Sequence, residues 1–119
     1  DQVLRYVASV LARIGRPPRL AARYGGEEFG LLFPGETCAT VERLLNEARS
    51  EIASRVLKRR STNEDLGTVT ISAGIAQREF AEDSFDLLGR ADKALYISKY
   101  NGRNKVTVAD SLNSDSNAA

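Results

Sequence analysis

Histidine is absent from the 119-residue sequence, and Cys38 is its only cysteine. A lone cysteine excludes an internal disulfide and suits a reducing compartment. With no imidazole and one thiol there is no donor set for zinc, so any metal is expected to be a hard, oxygen-liking ion such as Mg²⁺, with Mn²⁺ as a substitute. No apolar run approaches about 18 residues and no basic-then-apolar leader is present, so neither a membrane span nor an export signal is predicted. An excess of one charge is also missing. Lys and Arg number 17 against 16 Asp and Glu, a net charge of +1, so no global field draws the chain to nucleic acid or membrane, and any anion site must be local. The expectation is one cytoplasmic domain, free or as the cytoplasmic part of a membrane-anchored receptor.

With 42% hydrophobic residues, the chain can build one modest core. Val3, Leu4, Val7, Val10, Leu11 and Ile14 recur at three- and four-residue spacings, which predicts a helix from Asp1 to about Gly15. The "GRPPR" segment stops it. The runs "LAARY" and "EEFGLLF" flank Gly25-Gly26, a pair suited to the tight turn of a β-hairpin. A second helix is predicted with Thr37 as N-cap and Val41, Leu44, Leu45, Ala48, Ile52 and Val56 on its apolar face. "KRRSTNEDLG" reads as its polar exit loop. In "TVTISAGIAQ" Val69, Ile71, Ala73 and Ile75 alternate as in a half-buried strand. Ser84 is expected to cap a third helix carrying Leu88, Ala91, Leu95 and Ile97, ended by Gly102, and "KVTVA" to form a last strand. Residues 110–119 have little to bury and read as a disordered tail.

The order α, β, β, α, β, α, β places helices and strands around one sheet, an α/β (α+β) sandwich. It looks like a βαββαβ fold without its first, central strand, with a gap expected between the hairpin and "TVTISAGIA". Residues 1–109 are therefore expected to be part of a longer domain.

Two glutamates directly behind a Gly-Gly turn have a functional meaning available to them. Glycines let backbone approach a bulky polyanion, and Glu27 and Glu28 can hold Mg²⁺ against its phosphates. They also suit an ordinary exposed strand end, and adjacent strand residues point to opposite faces unless the turn twists the first of them.

"RYGGEEF", "TISAGIA" and "ADKALYISKYNGRNKV", in that order, resemble the GGDEF family of diguanylate cyclases in its GGEEF form, and the resemblance spans residues 1–109. It implies the palm fold of nucleotide cyclases and polymerases. It further implies a homodimer in which each subunit presents one GTP, the two joining as cyclic di-GMP with release of pyrophosphate. By the same resemblance Gly25 and Gly26 pass close to the nucleotide and Glu27 is a metal ligand. Glu28 is the second acidic group, as ligand or as activator of the 3′-hydroxyl, and Lys99 and Arg103 contact GTP phosphates. Lys99 and Arg103 could equally serve only to complement a helix C-terminus. Asp92 and Asn104 are read as packing and capping residues.

The family's inhibitory product site, R-x-x-D, falls on Arg16, and Arg19 stands where the aspartate belongs. A donor-only guanidinium cannot accept hydrogen bonds from guanine, so product inhibition here is expected to be weak. The family's first strand and the segment after it, with a metal-binding aspartate and guanine-reading Asn and Asp, have no counterpart in these residues. The 119 residues alone are therefore expected to be inactive, with sensory or regulatory parts elsewhere in the protein. Two other readings compete: a non-catalytic GGDEF domain that binds GTP or a partner, and an RNA-binding βαββαβ module. The RNA module needs exposed strand aromatics, whereas Phe29 and Phe33 share a face that reads as core.

Overall fold

The computed structural model describes residues 2–112; most of the expected tail lies outside them. Helix α1 (Gln2–Ile14) leads into the hairpin β1 (Leu20–Gly25) and β2 (Glu28–Leu32). Helix α2 (Cys38–Ala53) is followed by β3 (Val56–Lys58), β4 (Asp65–Thr68) and β5 (Ala73–Ile75). Helix α3 (Ser84–Tyr100) and β6 (Val106–Val108) complete the order. The result is the mixed helix–strand sandwich expected from the sequence.

Two apolar clusters hold it together. In the first, Val7, Val10 and Leu11 of α1 meet Ala48 and Ile52 of α2, with Phe29, Leu31, Val69 and Ile71 packed around them. In the second, Val41 and Leu45 of α2 meet Ile75, with Leu31, Phe33, Ala73, Val106 and Val108 around them. Leu31 belongs to both. Ile52 is completely buried, worth about 2–3 kcal/mol of apolar transfer. Cys38 lines the second cluster, and burial, with a smaller push from Glu42, raises its thiol above the ordinary value, as for an inert core thiol.

Strand β5 pairs parallel with β6, Ala73 against Val106 and Ile75 against Val108. Alternation turns Ala73, Ile75, Val106 and Val108 toward α2, and Gly74 and Thr107 toward α3. A Cβ on Gly74 would stand 2.2 Å from the Leu95 amide nitrogen and 2.3 Å from the Ala91 carbonyl oxygen. The backbone of α3 therefore rests on the strand itself. Fully buried Ser98 fixes that seat: its hydroxyl donates to the Ala73 carbonyl at 2.9 Å and lies 2.6 Å from the Thr107 hydroxyl.

Several expectations are corrected. Asp83, not Ser84, caps α3, its carboxylate accepting the Asp86 N–H at 2.8 Å. The buried face of α3 is Ala94 and Ser98, because only small side chains allow so close a seat; Leu88 and Ile97 are exposed. Val56 belongs to β3 and is exposed. The supposed exit loop contains an antiparallel hairpin, β3 with β4, which has no apolar alternation to reveal it because Leu57 is the one residue of the pair buried in the core. The "TVTISAGIAQ" run is not one strand: Thr68 ends β4, Val69 and Ile71 pack in the first cluster outside any ladder, and β5 begins at Ala73. In place of one sheet the described residues form three two-stranded ladders. No ladder joins β2 to β5 among the described residues, which is where a gap was expected.

Gly74→Ala should destabilise the domain by about 1–3 kcal/mol, because the clash is with helix backbone and no rotamer relieves it. Urea unfolding measures this, and a change below about 0.5 kcal/mol would show that α3 does not rest on this strand.

Candidate functional site

The hairpin tip is built by β1 and β2 and continues beyond the core. Ladder pairing runs from Leu20 opposite Leu32 to Arg23 opposite Phe29, then slips so that Gly25 faces Glu28. Gly26 takes φ +51°, a left-handed conformation that glycine adopts without strain. A Cβ on Gly25 or on Gly26 would meet nothing within 4 Å, so the space above the turn is open. Arg23 closes the turn from below, its Nε and Nη2 donating to the Gly26 carbonyl at 3.0 and 2.6 Å.

Phe29 and Leu31 turn inward to the clusters, which leaves Glu28 on the outward face of β2. Glu27 lies in the turn rather than in a strand, so strand alternation does not oppose it to Glu28. Both are exposed, and neither is in an ion pair among the described residues. Their oxygen donors fit Mg²⁺, which is usually held by one or two carboxylates with phosphate and water completing the shell. No group of three or more His, Cys, Asp or Glu side chains able to hold a metal exists among the described residues. The hairpin thus supplies at most two protein ligands.

Lys99 is half-buried in the last turn of α3, and Arg103 follows the helix end. The chain leaves α3 through three successive positive φ values, +109° at Gly102, +62° at Arg103 and +52° at Asn104. The last two are uncommon for residues with a Cβ and persist only where surroundings hold them. Here the Arg103 N–H donates to the Ser98 carbonyl at 2.9 Å and the Asn104 N–H to the Ser72 hydroxyl at 3.1 Å. Arg49 of α2 donates to the Asn104 side-chain oxygen at 3.0 Å. Asn104 therefore packs the loop against α2 and β5, while Asn101 is the helix C-cap. Asp92, read as a packing residue early in a helix, is exposed near the middle of α3. Neither Lys99 nor Arg103 is in an ion pair among the described residues. Among the described residues no hydrogen bond or ion pair joins either of them to the hairpin tip, and the two parts meet at the second core cluster, through Leu31 and Phe33 on one side and Ala73 and Val106 on the other.

Arg16 and Arg19 part company. Arg16 is exposed, whereas the Arg19 guanidinium grips Glu36 through two bonds of 2.7 Å and lies over the Phe33 ring. The hydrogen bonds from Arg19, then its charge, hold the Glu36 carboxyl below its ordinary value against the opposing effect of burial. Arg19 is a structural clamp here. Arg23, Arg49 and Glu36 had escaped notice in the sequence, where nothing but the position of Arg23 three residues before Gly26 signals a role.

A family model described as "Diguanylate cyclase, GGDEF domain" matches residues 1–105. The chain belongs to the GGDEF domain family. It is 34% identical over 106 residues to the diguanylate cyclase VdcA of Vibrio cholerae, covering 89% of this chain and 31% of that protein. Its fold matches the GGDEF domain of DgcB from Caulobacter crescentus, solved in complex with c-di-GMP, with a TM-score of 0.91 and 58% identity over 93% of this chain and 63% of that one. The active GGEEF domain of a diguanylate cyclase from Vibrio cholerae aligns with a TM-score of 0.77 and 27% identity, over 93% of this chain and 69% of that one. The chain thus spans about a third of the curated VdcA protein. No helix among the described residues is long and apolar enough to cross a membrane.

The Arg19–Glu36 pair makes stability depend on pH. Because the folded carboxyl sits below the ordinary 4.5, its contribution is complete above that pH and is lost as pH falls through the folded value. Glu36→Gln should therefore destabilise at pH 7 and lose that deficit as pH falls from 4.5 through the lower folded value. Urea midpoints across this range test it, and a deficit that stays constant with pH would remove the ionic explanation.

Proposed function

We propose that this domain, within its complete protein, condenses two GTP molecules into cyclic di-GMP and releases two pyrophosphates, acting as a cytoplasmic homodimer under the control of attached regulatory parts. The observation that carries this reading is the hairpin tip: open space above Gly25 and Gly26, with Glu27 and Glu28 beside it and unpaired among the described residues. Family membership supports the enzyme class.

Each turnover joins the 3′-oxygen of one GTP to the α-phosphorus of the other as the bond to pyrophosphate breaks, and the same step repeated closes the ring. The Gly25–Gly26 backbone admits the triphosphate. Glu27 holds Mg²⁺, and Glu28 either shares it or takes the proton of the attacking hydroxyl. When bound, Mg²⁺ supplies charge neutralisation and a more acidic hydroxyl. Lys99 and Arg103 hold phosphate oxygens, Arg103 from a backbone already fixed by Ser98 and Asn104. The remaining metal and guanine contacts come from residues outside this chain, so the 119 residues alone make no product.

In the complete domain with GTP and Mg²⁺, Glu27→Ala should lose about 100-fold or more in turnover with the fold intact. Arg103→Gly, which relieves the positive φ, should keep or raise stability while weakening GTP binding about tenfold. Chromatographic detection of cyclic di-GMP reads the first and GTP titration the second. A near wild-type rate for Glu27→Ala would reduce that residue to an ordinary turn position. GTP binding without product in the unmutated domain would instead make it a non-catalytic GTP-binding regulator.

The clamp on Arg19 leaves Arg16 without the acidic partner that an R-x-x-D product site needs. Product inhibition through this position is therefore weak. Arg16→Ala should change the inhibition constant for cyclic di-GMP by less than about threefold, and a larger loss of inhibition would restore the site.

A further inference from the structure

Arg49 is a cation that the fold holds without an acid. It is half-buried on α2, and its Nε donates to the Asn46 side-chain oxygen at 3.1 Å, one turn earlier in the same helix. Its Nη1 reaches across to the loop after α3, to the Asn104 side-chain oxygen at 3.0 Å and the Asn104 carbonyl at 3.5 Å. Each of these acceptors is neutral, and Arg49 is in no ion pair among the described residues. A carboxylate is ordinarily the stronger partner for a guanidinium. Two asparagines hold it instead, which fixes the geometry and brings no negative charge to the loop.

What Arg49 grips is a backbone that does not hold itself. Arg103 and Asn104 both take left-handed φ values, +62° and +52°, and two such residues in succession persist only where their surroundings insist on it. The Arg103 N–H is tied to the Ser98 carbonyl and the Asn104 N–H to the Ser72 hydroxyl. Those anchors belong to α3 and to the residue just before β5. Arg49 comes from α2, which packs on the opposite face of the β5–β6 ladder from α3. The loop is thus held from both faces, and the third tether takes the side chain and the carbonyl of the residue directly after Arg103.

We infer that Arg49 is a positioning residue for the phosphate end of the site. It acts through Asn104 on the backbone that aims the Arg103 guanidinium, and its neutral partners place no acid beside a polyanion. The inference rests on the reading of Arg103 as a GTP phosphate contact. It adds to that reading a residue on a different helix, 55 positions away from Asn104 in sequence, on which the direction of Arg103 depends.

Amide hydrogen exchange and GTP titration in Mg²⁺, both on the complete protein, test this. Arg49→Met keeps a long side chain of good helix propensity, so circular dichroism should show the fold intact. In this variant the Arg103 and Asn104 amides should exchange about tenfold faster. GTP affinity should fall about threefold to fivefold, less than on loss of the Arg103 side chain itself. Arg49→Lys keeps the charge and loses the planar fork, and should show the same faster exchange and weaker binding. In an Arg103→Ala background, Arg49→Met should change GTP affinity by less than about 1.5-fold, because a residue that acts through Arg103 then has nothing left to aim. Unchanged exchange at both amides, full recovery with lysine, or a loss of affinity that persists without Arg103 overturns the inference and leaves the phosphate reading standing. Undiminished GTP affinity in Arg103→Ala alone overturns the phosphate reading, and the role of Arg49 with it.

Discussion

The contact between the backbone of α3 and Gly74 is the constraint on which the rest of the structure depends. A strand residue without a side chain lets the helix descend until Leu95 and Ala91 sit where a Cβ would be, and Ser98 then bonds to both strands of the ladder beneath it. That depth fixes the helix end, and with it the origin of the loop carrying Arg103 and Asn104. The loop can hold its positive φ values because Ser98 and Ser72, anchored beside the same ladder, receive its N–H groups. The close seat also turns the larger apolar residues of α3 outward.

The hairpin is positioned from the opposite side of the second cluster. Leu31 and Phe33 pin β2 to α2 and Ile75, while Arg23 ties the turn to its own strand. The tip therefore projects from a rigid base without being buried, which keeps two carboxylates hydrated and available. Arg19 and Glu36 serve a different end nearby, bracing the chain on either side of the hairpin by a bidentate bond.

The helices were legible because their periodicity is a local property. Val7, Val10 and Leu11 in α1, and Val41, Leu45, Ala48 and Ile52 in α2, announce the buried face without reference to anything else. Thr37 acts as the N-cap that its position suggests, accepting the Thr40 N–H at 3.2 Å. The α3 face was misread because the rule that apolar residues point inward fails where two backbones nearly touch: there Ala94 and Ser98 fit, and Leu88 does not. The β3–β4 hairpin was illegible for a related reason. Its pairing is carried by backbone hydrogen bonds between largely exposed residues, which leave no pattern of hydrophobicity.

By itself the sequence determined the three helices, the first hairpin with its Gly-Gly turn and two carboxylates, and the family to which the chain belongs, since each rests on residue types at short, fixed spacings. Only the tertiary structure decided which residues hold these features in place. Arg19 meets Glu36 across 17 positions and Arg49 meets Asn104 across 55, and such distances in sequence close only when the packed core brings the elements together. The division is physical: local backbone preference and periodicity are written residue by residue, whereas the partner of a charge and the depth at which a helix can seat are set by the shape of everything around it.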